Sequence, residues 1–495
     1  MTVLRPARRA FLAGALAAPA LAALPAWAKG AVDLGPELAA LFEPEATDAR
    51  RAAFWAERLS TAGRERWPLE AFQDEVRGVA ELSGGVDLLD VRHVPDGPLA
   101  QLSFRLWSRR QGLARWVRAR VDRDEPERLL DFSDLPFPEI YDRTGPDGPV
   151  SRAGLAAEVE RRVRYAVERD DFSGCVMVTA PDGETVWQGA FGLADRETGR
   201  VNTLETPFHI GSADKSFTAL MIGRLVREGR LTFDTPLIEV LPDYANAEFA
   251  RVCTIQHLLT HSAGLGGLFE RPGWDGKRPF TRMAELLPAF AGEPPYHVPG
   301  TETGYSNEGF VVLGAVIEAV TGLSWFDLLA EQVYRPAGMA GSGHFRIDEQ
   351  VGVKAVGYMY PEGDRLGFGA REANEVRQGY RGNSCGGGYS TVGDMTRYLR
   401  ALREGRLMPP EQAAEFIAAQ PGGLRGYGRG FQVRATPEGR TVVGHSGGGP
   451  RSGIDGYHRI VWETGWAVSI LGNYDSPFAG EIGRDITRWL TYQEA

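Results

Sequence analysis

Strand-like sequence stands at both ends of the region beyond residue 150, and helical sequence fills the middle. At the near end, residues 174–180 and 184–191 flank the turn Pro181-Asp182-Gly183, which is a hairpin pattern. Four more strand-like runs lie between residues 430 and 473. Because strands must pair to satisfy their main-chain groups, we expect the two ends to form one antiparallel sheet with helices packed against it. The predicted fold class is therefore α/β.

The length of the chain, 495 residues, indicates more than one domain. Residues 134–150 hold four prolines and two glycines, which is typical of a linker. Before this linker, residues 36–84 have helical spacing and residues 86–133 resemble short strands. We therefore predict a small α+β accessory domain over 29–145 and a larger domain over 150–495.

The first 28 residues have the pattern of an export signal. Arg8-Arg9 is a twin-arginine pair, an Ala/Leu-rich stretch follows, and Ala26-Trp27-Ala28 is a cleavage pattern. A membrane anchor is the alternative, but alanine, Gly14 and two prolines make a weak spanning helix. We expect removal of residues 1–28, a periplasmic or secreted protein, and no stable membrane anchor.

The chain is acidic, with a formal net charge of −10. Removing the predicted signal takes away three arginines and no acid, so the mature charge is about −13. An acidic chain without a basic stretch is a poor partner for nucleic acid, and none is expected. The sequence leaves the oligomeric state open.

The segment around Ser212 carries the main catalytic pattern. Residues 213–228 have the apolar spacing of a buried helix, so Ser212 stands at a helix N-terminus. Lys215 lies three residues later, on the same face. A lysine amine without its proton can deprotonate a serine hydroxyl placed there. The chain has four lysines and 51 arginines, and arginine cannot act as this base.

A second candidate element is Tyr305-Ser306-Asn307, directly before an apolar helical pattern at 310–320. A tyrosine hydroxyl can relay a proton between the nucleophile and the leaving group. Asn307 can bind a substrate amide or hold Lys215. Tyr244-Ala245-Asn246 has the same spacing but lies in an acidic stretch only 29 residues after Lys215, so it is set aside.

The third candidate element is His445-Ser446-Gly447-Gly448, after a strand-like run at 441–444. Glycines at a strand edge let a substrate backbone approach closely. A main-chain N–H from this edge can join that of Ser212 in an oxyanion hole.

Together the three elements resemble the serine β-lactamase and penicillin-binding-protein family, of the class C, esterase and D-aminopeptidase type. The matching motifs are S-x-x-K at 212–215, Y-x-N at 305–307 and H-x-G at 445–447, with family-like phrases at 258–265, 299–322 and 386–399. The resemblance covers about 155–490 and leaves out the N-terminal region. It implies a β-lactamase-like antiparallel sheet flanked by helices.

By this resemblance, Ser212 forms an acyl-enzyme and Lys215 and Tyr305 share the proton transfers. Asn307 contacts the substrate amide, and the N–H groups of Ser212 and Gly448 form the oxyanion hole. The expected function is a serine hydrolase of small esters, amides or cell-wall peptides, of the esterase, D-amino-acid peptidase or carboxypeptidase type. The alternatives are a true β-lactamase and a catalytically silent relative that binds cell-wall peptides.

His445 departs from the family pattern, because the β-lactamases carry lysine there. A neutral histidine offers a substrate carboxylate no fixed charge, which disfavours a true β-lactamase. We therefore expect kcat/KM for carboxylate substrates to rise as the pH falls through the pKa of His445. We expect the same rise in His445→Lys. Arg451 is the alternative carboxylate partner, and Arg459 is expected to be solvated.

No metal or cofactor is expected from the sequence. His257 and His261 are four residues apart, but His257-Leu-Leu-Thr-His261 lacks the glutamate of a zinc hydrolase motif. Gly386-Gly387-Gly388 is not followed by Lys-Ser/Thr, so a close backbone approach explains these glycines better than a phosphate loop. The three cysteines, Cys175, Cys253 and Cys385, fit no zinc site and are expected to be buried thiols, with one disulfide between two of them as the alternative in an oxidising compartment.

Overall fold

The computed structural model describes residues 34–94, 101–110, 113–122, 124–125, 128–133, 146, 148–168, 170–271, 274–347, 349, 354–360, 370–374, 379–449, 452–475 and 478–494. The predicted export signal and Arg451 lie outside these residues. The described residues form two compact units, one from Met1–Ile140 and Tyr360–Ala370 and the other from Tyr141–Met359 and Arg371–Ala495. The domain boundaries that we expect from the sequence stay predictions, because most of 134–147 is outside the described part.

The described residues of the first unit form four helices followed by an antiparallel sheet in which neighbours along the chain pair. Thr47 and Ser60 cap two of the helices, each accepting a main-chain N–H three residues on. Phe72, Phe104 and Val117 are fully buried in its core. The elements are α1 (Leu34–Leu41), α2 (Asp48–Arg58), α3 (Thr61–Arg66), α4 (Leu69–Ser83), β1 (Val86–Val94), β2 (Gln101–Ser108), β3 (Leu113–Val121) and β4 (Leu129–Ser133).

The second unit is built on a six-stranded antiparallel sheet with the order β13-β14-β15-β16-β5-β6. The predicted pairing of strands from the two ends of the region beyond residue 150 is confirmed, because β16 pairs with β5 from Ala467↔Thr179 to Gly472↔Gly174. The strands are β5 (Gly174–Thr179), β6 (Thr185–Phe191), β13 (Gln432–Ala435), β14 (Thr441–Gly448), β15 (Asp455–Val461) and β16 (Ala467–Gly472).

Both faces of this sheet are covered by helices. Alternate residues of a strand point to opposite faces. Accordingly, Cys175 and Met177 join the core that contains the catalytic-motif helix, whereas Val176 and Val178 join the core that contains the first and last helices of the unit. The predicted fold class, an antiparallel sheet flanked by helices, is confirmed.

The helices of the second unit begin with α5 (Arg152–Glu168), where the hydroxyl of Ser151 accepts the N–H of Gly154 as a helix cap. The others are α6 (Asp214–Arg227), α7 (Leu237–Val240), α8 (Ala247–Val252), α9 (Ile255–Leu259), α10 (Asn307–Thr321), α11 (Trp325–Leu329), α12 (Arg335–Ala337), α13 (Val392–Arg403), α14 (Pro410–Ile417) and α15 (Phe478–Leu490). The short strands are β7 (Leu193–Asp195), β8 (Arg200–Val201), β9 (Phe208–His209), β10 (Tyr358–Met359), β11 (Glu372–Ala373) and β12 (Tyr389–Ser390).

Two predicted bounds are wrong in a way that matters for the site. Helix α10 begins at Asn307 rather than near Phe310, because Ser306 caps it by accepting the N–H of Gly309. Strand β14 continues to Gly448 rather than ending at Gly444, because it stays paired with β15 along its whole length.

Within the described ranges, no single helix has the length and apolar character needed to cross a membrane. One pair of helical segments meets the length and composition test only when the two are taken together. These are Asn307–Thr321 and Trp325–Ala337, which are bent by 90° to one another.

Candidate active site

Ser212 lies in a short 3₁₀ turn, Gly211–Ala213, that leads directly into α6. The hydroxyl of Ser216, one turn into the helix, donates to the carbonyl of Ala213 and accepts the hydroxyl of Tyr398. Helix α6 is buried along most of its length, which is why its apolar residues occur on all sides. The predicted placement of Ser212 before a buried helix is therefore confirmed.

Glycine backbones enclose this turn from two sides. A Cβ on Gly447 of β14 would overlap the carbonyl oxygen of Ile210, and a Cβ on Gly211 would lie 2.5 Å from the nitrogen of Gly448. From the other side, a Cβ on Gly386 would lie 3.0 Å from the carbonyl oxygen of Gly211. Gly211 also has φ of +52°, a conformation that favours glycine. Both flanks therefore require glycine so that main chain can pack on main chain.

Lys215 is fully buried, and its amine has three polar neighbours. Nζ lies 3.2 Å from Oγ of Ser212, 2.8 Å from Oδ1 of Asn307 and 2.6 Å from the carbonyl oxygen of Cys385. Asn307 and Cys385 therefore fix the amine beside the hydroxyl of Ser212. The contribution of Cys385 is a main-chain oxygen, so no side-chain motif could have predicted it.

Tyr305 and Asn307 reach the amine of Lys215 from the loop before α10. The ring of Tyr305 has its centroid 4.9 Å from Nζ, and the ring of Phe310 lies 5.6 Å away. The side chain of Tyr305 is 42% exposed, so it forms part of the open wall of the site. The set-aside Tyr244 is buried in the core against Phe249, away from this cluster.

His445 is buried, and both of its ring nitrogens are used. Nδ1 lies 2.6 Å from the carbonyl oxygen of Ser446, so it must donate. Nε2 therefore accepts the hydroxyl of Tyr427 at 2.8 Å. Burial keeps the pKa of His445 well below its ordinary value. This direction opposes the expectation that a fall in pH gives a cation here, and that expectation stays a prediction to be measured.

Arg459 is buried rather than solvated, so that prediction is wrong. It donates to Oγ of Ser446 at 3.0 Å, to the carbonyl oxygen of His458 at 2.8 Å and to the side-chain oxygen of Gln432. It packs over the ring of Tyr457 at 4.5 Å, and burial lowers its pKa. Within the described residues it has no carboxylate partner. A cation therefore lies directly against the central residue of the third motif.

The open edge of β14 faces the nucleophile. The N–H of Ser446 donates to the side-chain oxygen of Gln432 on β13, so it points away from β15. Because every second residue of a strand presents its N–H to the same edge, the N–H of Gly448 points to that edge too. Gly448 is also the residue whose nitrogen approaches Gly211. This geometry brings the predicted oxyanion donor next to Ser212.

The remaining histidines of the motif region have structural contacts. Nδ1 of His257 accepts the N–H of Thr254, and Nδ1 of His261 accepts the N–H of Ser306. The glycines at 386–388 make the predicted close approach, and all three cysteines are buried free thiols, as expected. Sequence reasoning missed the roles of His261, Tyr427 and the Cys385 carbonyl.

Comparison with known proteins agrees with this geometry. The family model described as Beta-lactamase matches residues 159–493. The chain belongs to the Beta-lactamase family.

Members of this family differ in what they act on. Esterase EstB of Burkholderia gladioli is 30% identical over 67% of this chain and 93% of its own length. The D-aminopeptidase of Brucella anthropi is 27% identical over 58% of this chain and 54% of its own. The crystal structure of a penicillin binding protein from Bacillus halodurans superposes with a TM-score of 0.57 at 26% identity, covering 69% of this chain and 99% of that one. The protein is thus a serine hydrolase of the Beta-lactamase family, with esterase, D-aminopeptidase and penicillin-binding relatives.

Proposed function

We propose that the protein is an acyl-enzyme hydrolase in which Ser212 is the nucleophile and Lys215 the base. The single observation that carries this is the environment of the Lys215 amine. A neutral amine has two N–H groups and one lone pair. Once the amine has given up its extra proton, the oxygens of Asn307 and Cys385 can accept its two N–H groups, and the lone pair is then directed at the Ser212 hydroxyl, whose Oγ lies 3.2 Å from Nζ.

The steps follow from this arrangement. Lys215 takes the proton of Ser212 as Oγ attacks the substrate carbonyl, and the developing oxyanion accepts the N–H groups of Ser212 and Gly448. The proton passes through Lys215 and Tyr305 to the leaving alcohol or amine. Water then releases the acyl group by the reverse path. Asn307 uses its side-chain oxygen for Lys215, so its amide NH₂ is the part that can donate to a substrate carbonyl.

The favoured substrates are small esters and amides without a carboxylate beside the scissile bond. The reason is that His445 is neutral and both of its nitrogens are used within the protein. Esterase EstB and the D-aminopeptidase, whose names describe ester and amine-terminal substrates, are consistent with this preference.

Covalent labelling tests the nucleophile. A fluorophosphonate should add one adduct to the wild-type protein by intact-mass analysis and none to Ser212→Ala. Ser216→Ala is the matched control, because Ser216 is a buried serine one turn along the same helix and should leave labelling intact. Labelling that persists in Ser212→Ala would refute the assignment.

A second candidate, a carboxypeptidase-type activity on carboxylate-bearing peptides, is favoured by one observation. Arg459 donates to Ser446 Oγ and has no carboxylate partner among the described residues. The Ser446 hydroxyl, polarised by this charged donor, can in turn donate a hydrogen bond to a substrate carboxylate. Arg459→Met should then reduce kcat/KM for a D-alanyl-D-alanine peptide and not for p-nitrophenyl acetate. Arg434→Met, an exposed arginine on β13, is the control. An equal effect on both substrates would reject this candidate.

We also propose export of the folded protein by its twin-arginine signal, with cleavage after Ala28. Replacing Arg8 and Arg9 together by lysine should leave the precursor in the cytoplasm, whereas the wild-type mature chain should begin at Lys29 by N-terminal sequencing. Unchanged export of the double variant would refute the proposal. The predicted 29–145 domain is proposed as an accessory module without catalytic residues.

A further inference from the structure

His261 lies directly behind the loop that carries Tyr305 and Asn307. Its Nδ1 accepts the N–H of Ser306 at 3.0 Å, and its main-chain oxygen accepts the N–H of Gly304 at 2.9 Å. The two hydrogen bonds therefore hold the residues on either side of Tyr305. The side chain is fully buried, so water does not compete for these contacts.

The backbone of His261 is in the left-handed region, with φ of +58°. Only one other non-glycine residue in the described part of the chain, Asp170, has a positive φ. A residue with a Cβ holds this conformation only where the surrounding structure imposes it. Here the main-chain oxygen and the ring of His261 both bind the loop that carries Tyr305.

The His261 ring touches the aromatic groups that surround Lys215. Its centroid lies 4.4 Å from that of Tyr305 and 5.3 Å from that of Phe310, the two rings that flank the Lys215 amine. It also lies 4.5 Å from the ring of Tyr427, whose hydroxyl holds His445. His261 thus packs between the loop that carries Tyr305 and Tyr427, the hydrogen-bond partner of His445.

The hydrogen bond from Ser306 fixes the protonation of His261. An Nδ1 that accepts an N–H has no proton, so the neutral ring carries its proton on Nε2. Nε2 is buried and has no hydrogen-bond partner among the described residues. Burial lowers the pKa of His261 well below its ordinary value. A phenylalanine would fill this space without an unpaired N–H, so packing alone does not explain a histidine here.

We propose that His261 is a positioning residue for the hydrolytic reaction, which fixes the Tyr305–Asn307 loop around the amine of Lys215. The proposal rests on the proposed roles of Ser212 and Lys215. Asn307 orients the amine through one hydrogen bond, and Tyr305 and Phe310 close the pocket around it. Because a misplacement of about 1 Å can cost about 10²-fold in rate, a loosened loop slows the reaction without any loss of a reacting group.

Two substitutions separate the contribution of the hydrogen-bond acceptor of His261 from that of its ring. His261→Asn keeps an acceptor at the position of Nδ1 and tolerates a left-handed backbone, but it removes the ring. We expect kcat for p-nitrophenyl acetate, per site titrated with a fluorophosphonate, to fall by about tenfold to 10²-fold with KM within about twofold. His261→Phe keeps a ring but leaves the Ser306 N–H unpaired, so its kcat per titrated site should fall further.

His257→Asn is the matched control. His257 lies four residues earlier, and its Nδ1 also accepts a main-chain N–H, that of Thr254 at 3.2 Å. It does not contact Tyr305, Phe310 or Lys215, so kcat per titrated site should stay within about twofold of wild type. The pH dependence of kcat/KM should shift in His261→Asn, because water reaches the pocket of Lys215, and should be unchanged in His257→Asn.

A purely structural role predicts another pattern. His261→Asn would then lower only the melting temperature, with wild-type kcat per titrated site and a wild-type pH profile, and the proposal would be overturned. A second measurement compares the ¹⁵N NMR spectra of histidine-labelled wild type and His261→Asn. The ring signal that the substitution removes should carry its proton on Nε2, because Nδ1 accepts the N–H of Ser306. A His261 ring with its proton on Nδ1 would overturn the proposal as well. Failure of the proposed function is distinguishable, because wild type itself would then not label at Ser212.

Discussion

The two flanks of Ser212 are built in different ways. On the lysine side, three polar groups converge on the amine of Lys215, two of them from distant parts of the chain, and each contact is a directed hydrogen bond. On the strand side, glycines of β14 and of the turn pack main chain against main chain, and burial keeps the pKa of His445, the ionisable residue of the motif on β14, well below its ordinary value. The lysine side therefore depends on which functional groups are present. The strand side depends on the absence of side chains.

The largest expected effect is on the lysine side. Lys215→Arg should fold but lose at least about 10³-fold in kcat, because arginine cannot accept the proton and a general base is worth about 10²–10⁴-fold. The measurement is hydrolysis of p-nitrophenyl acetate by protein whose circular dichroism matches wild type. Lys277→Arg, at an exposed position, is the control. Activity within tenfold of wild type would show that Lys215 is not the base.

The next effect tests the strand side by adding one methyl group. In Gly447→Ala the new Cβ would overlap the carbonyl oxygen of Ile210, so the nucleophile turn or β14 must move. We expect a loss of about 10²-fold in kcat/KM, the cost of a displacement of about 1 Å. Gly449→Ala, two residues on, meets no atom within 4 Å and should stay within about twofold. Equal effects of the two alanines would contradict the close-packed account.

Tyr427→Phe should affect stability more than chemistry. It removes the hydroxyl that His445 Nε2 accepts and leaves a buried acceptor without a partner, which costs about 1–3 kcal/mol. The melting temperature should fall, and kcat should change by less than about tenfold. Tyr492→Phe removes an exposed hydrogen bond to Glu438 and serves as the control, with an expected change within about 0.5 kcal/mol. A thermal shift no larger than that of the control would mean that His445 does not depend on Tyr427.

The smallest expected effect is the absence of a pH switch at His445. Protonation needs a pH below the pKa of the folded-state ring, and burial holds that pKa well below 6.5. Lowering the pH from 7 to 5 should therefore leave the ratio of kcat/KM for a carboxylate-bearing and a neutral ester unchanged. A ratio that rises with a midpoint near pH 6.5 would show that His445 does become a cation and that the two flanks are less different than described.

The amino-acid sequence was sufficient for the features that depend on local spacing. Serine and lysine three residues apart at the start of an apolar helix must share one face, and the alternating runs at both ends of the region must pair because buried main-chain groups need partners. Hence the placement of Ser212 and Lys215 and the antiparallel sheet could be predicted. The helix start at Asn307 was missed by three residues because its cap, Ser306, lies within the motif itself.

Only the tertiary structure decided the partners of these groups and their charge. Asn307 and the Cys385 carbonyl reach Lys215 across 92 and 170 residues, and the second of these is a main-chain atom that no residue type signals. The neutral state of His445 depends on burial and on the Tyr427 hydroxyl, and Arg459 is buried because β14 and β15 pair in one register. Burial and long-range pairing are properties of the packed chain, so a local pattern specifies which groups are available but not which of them meet.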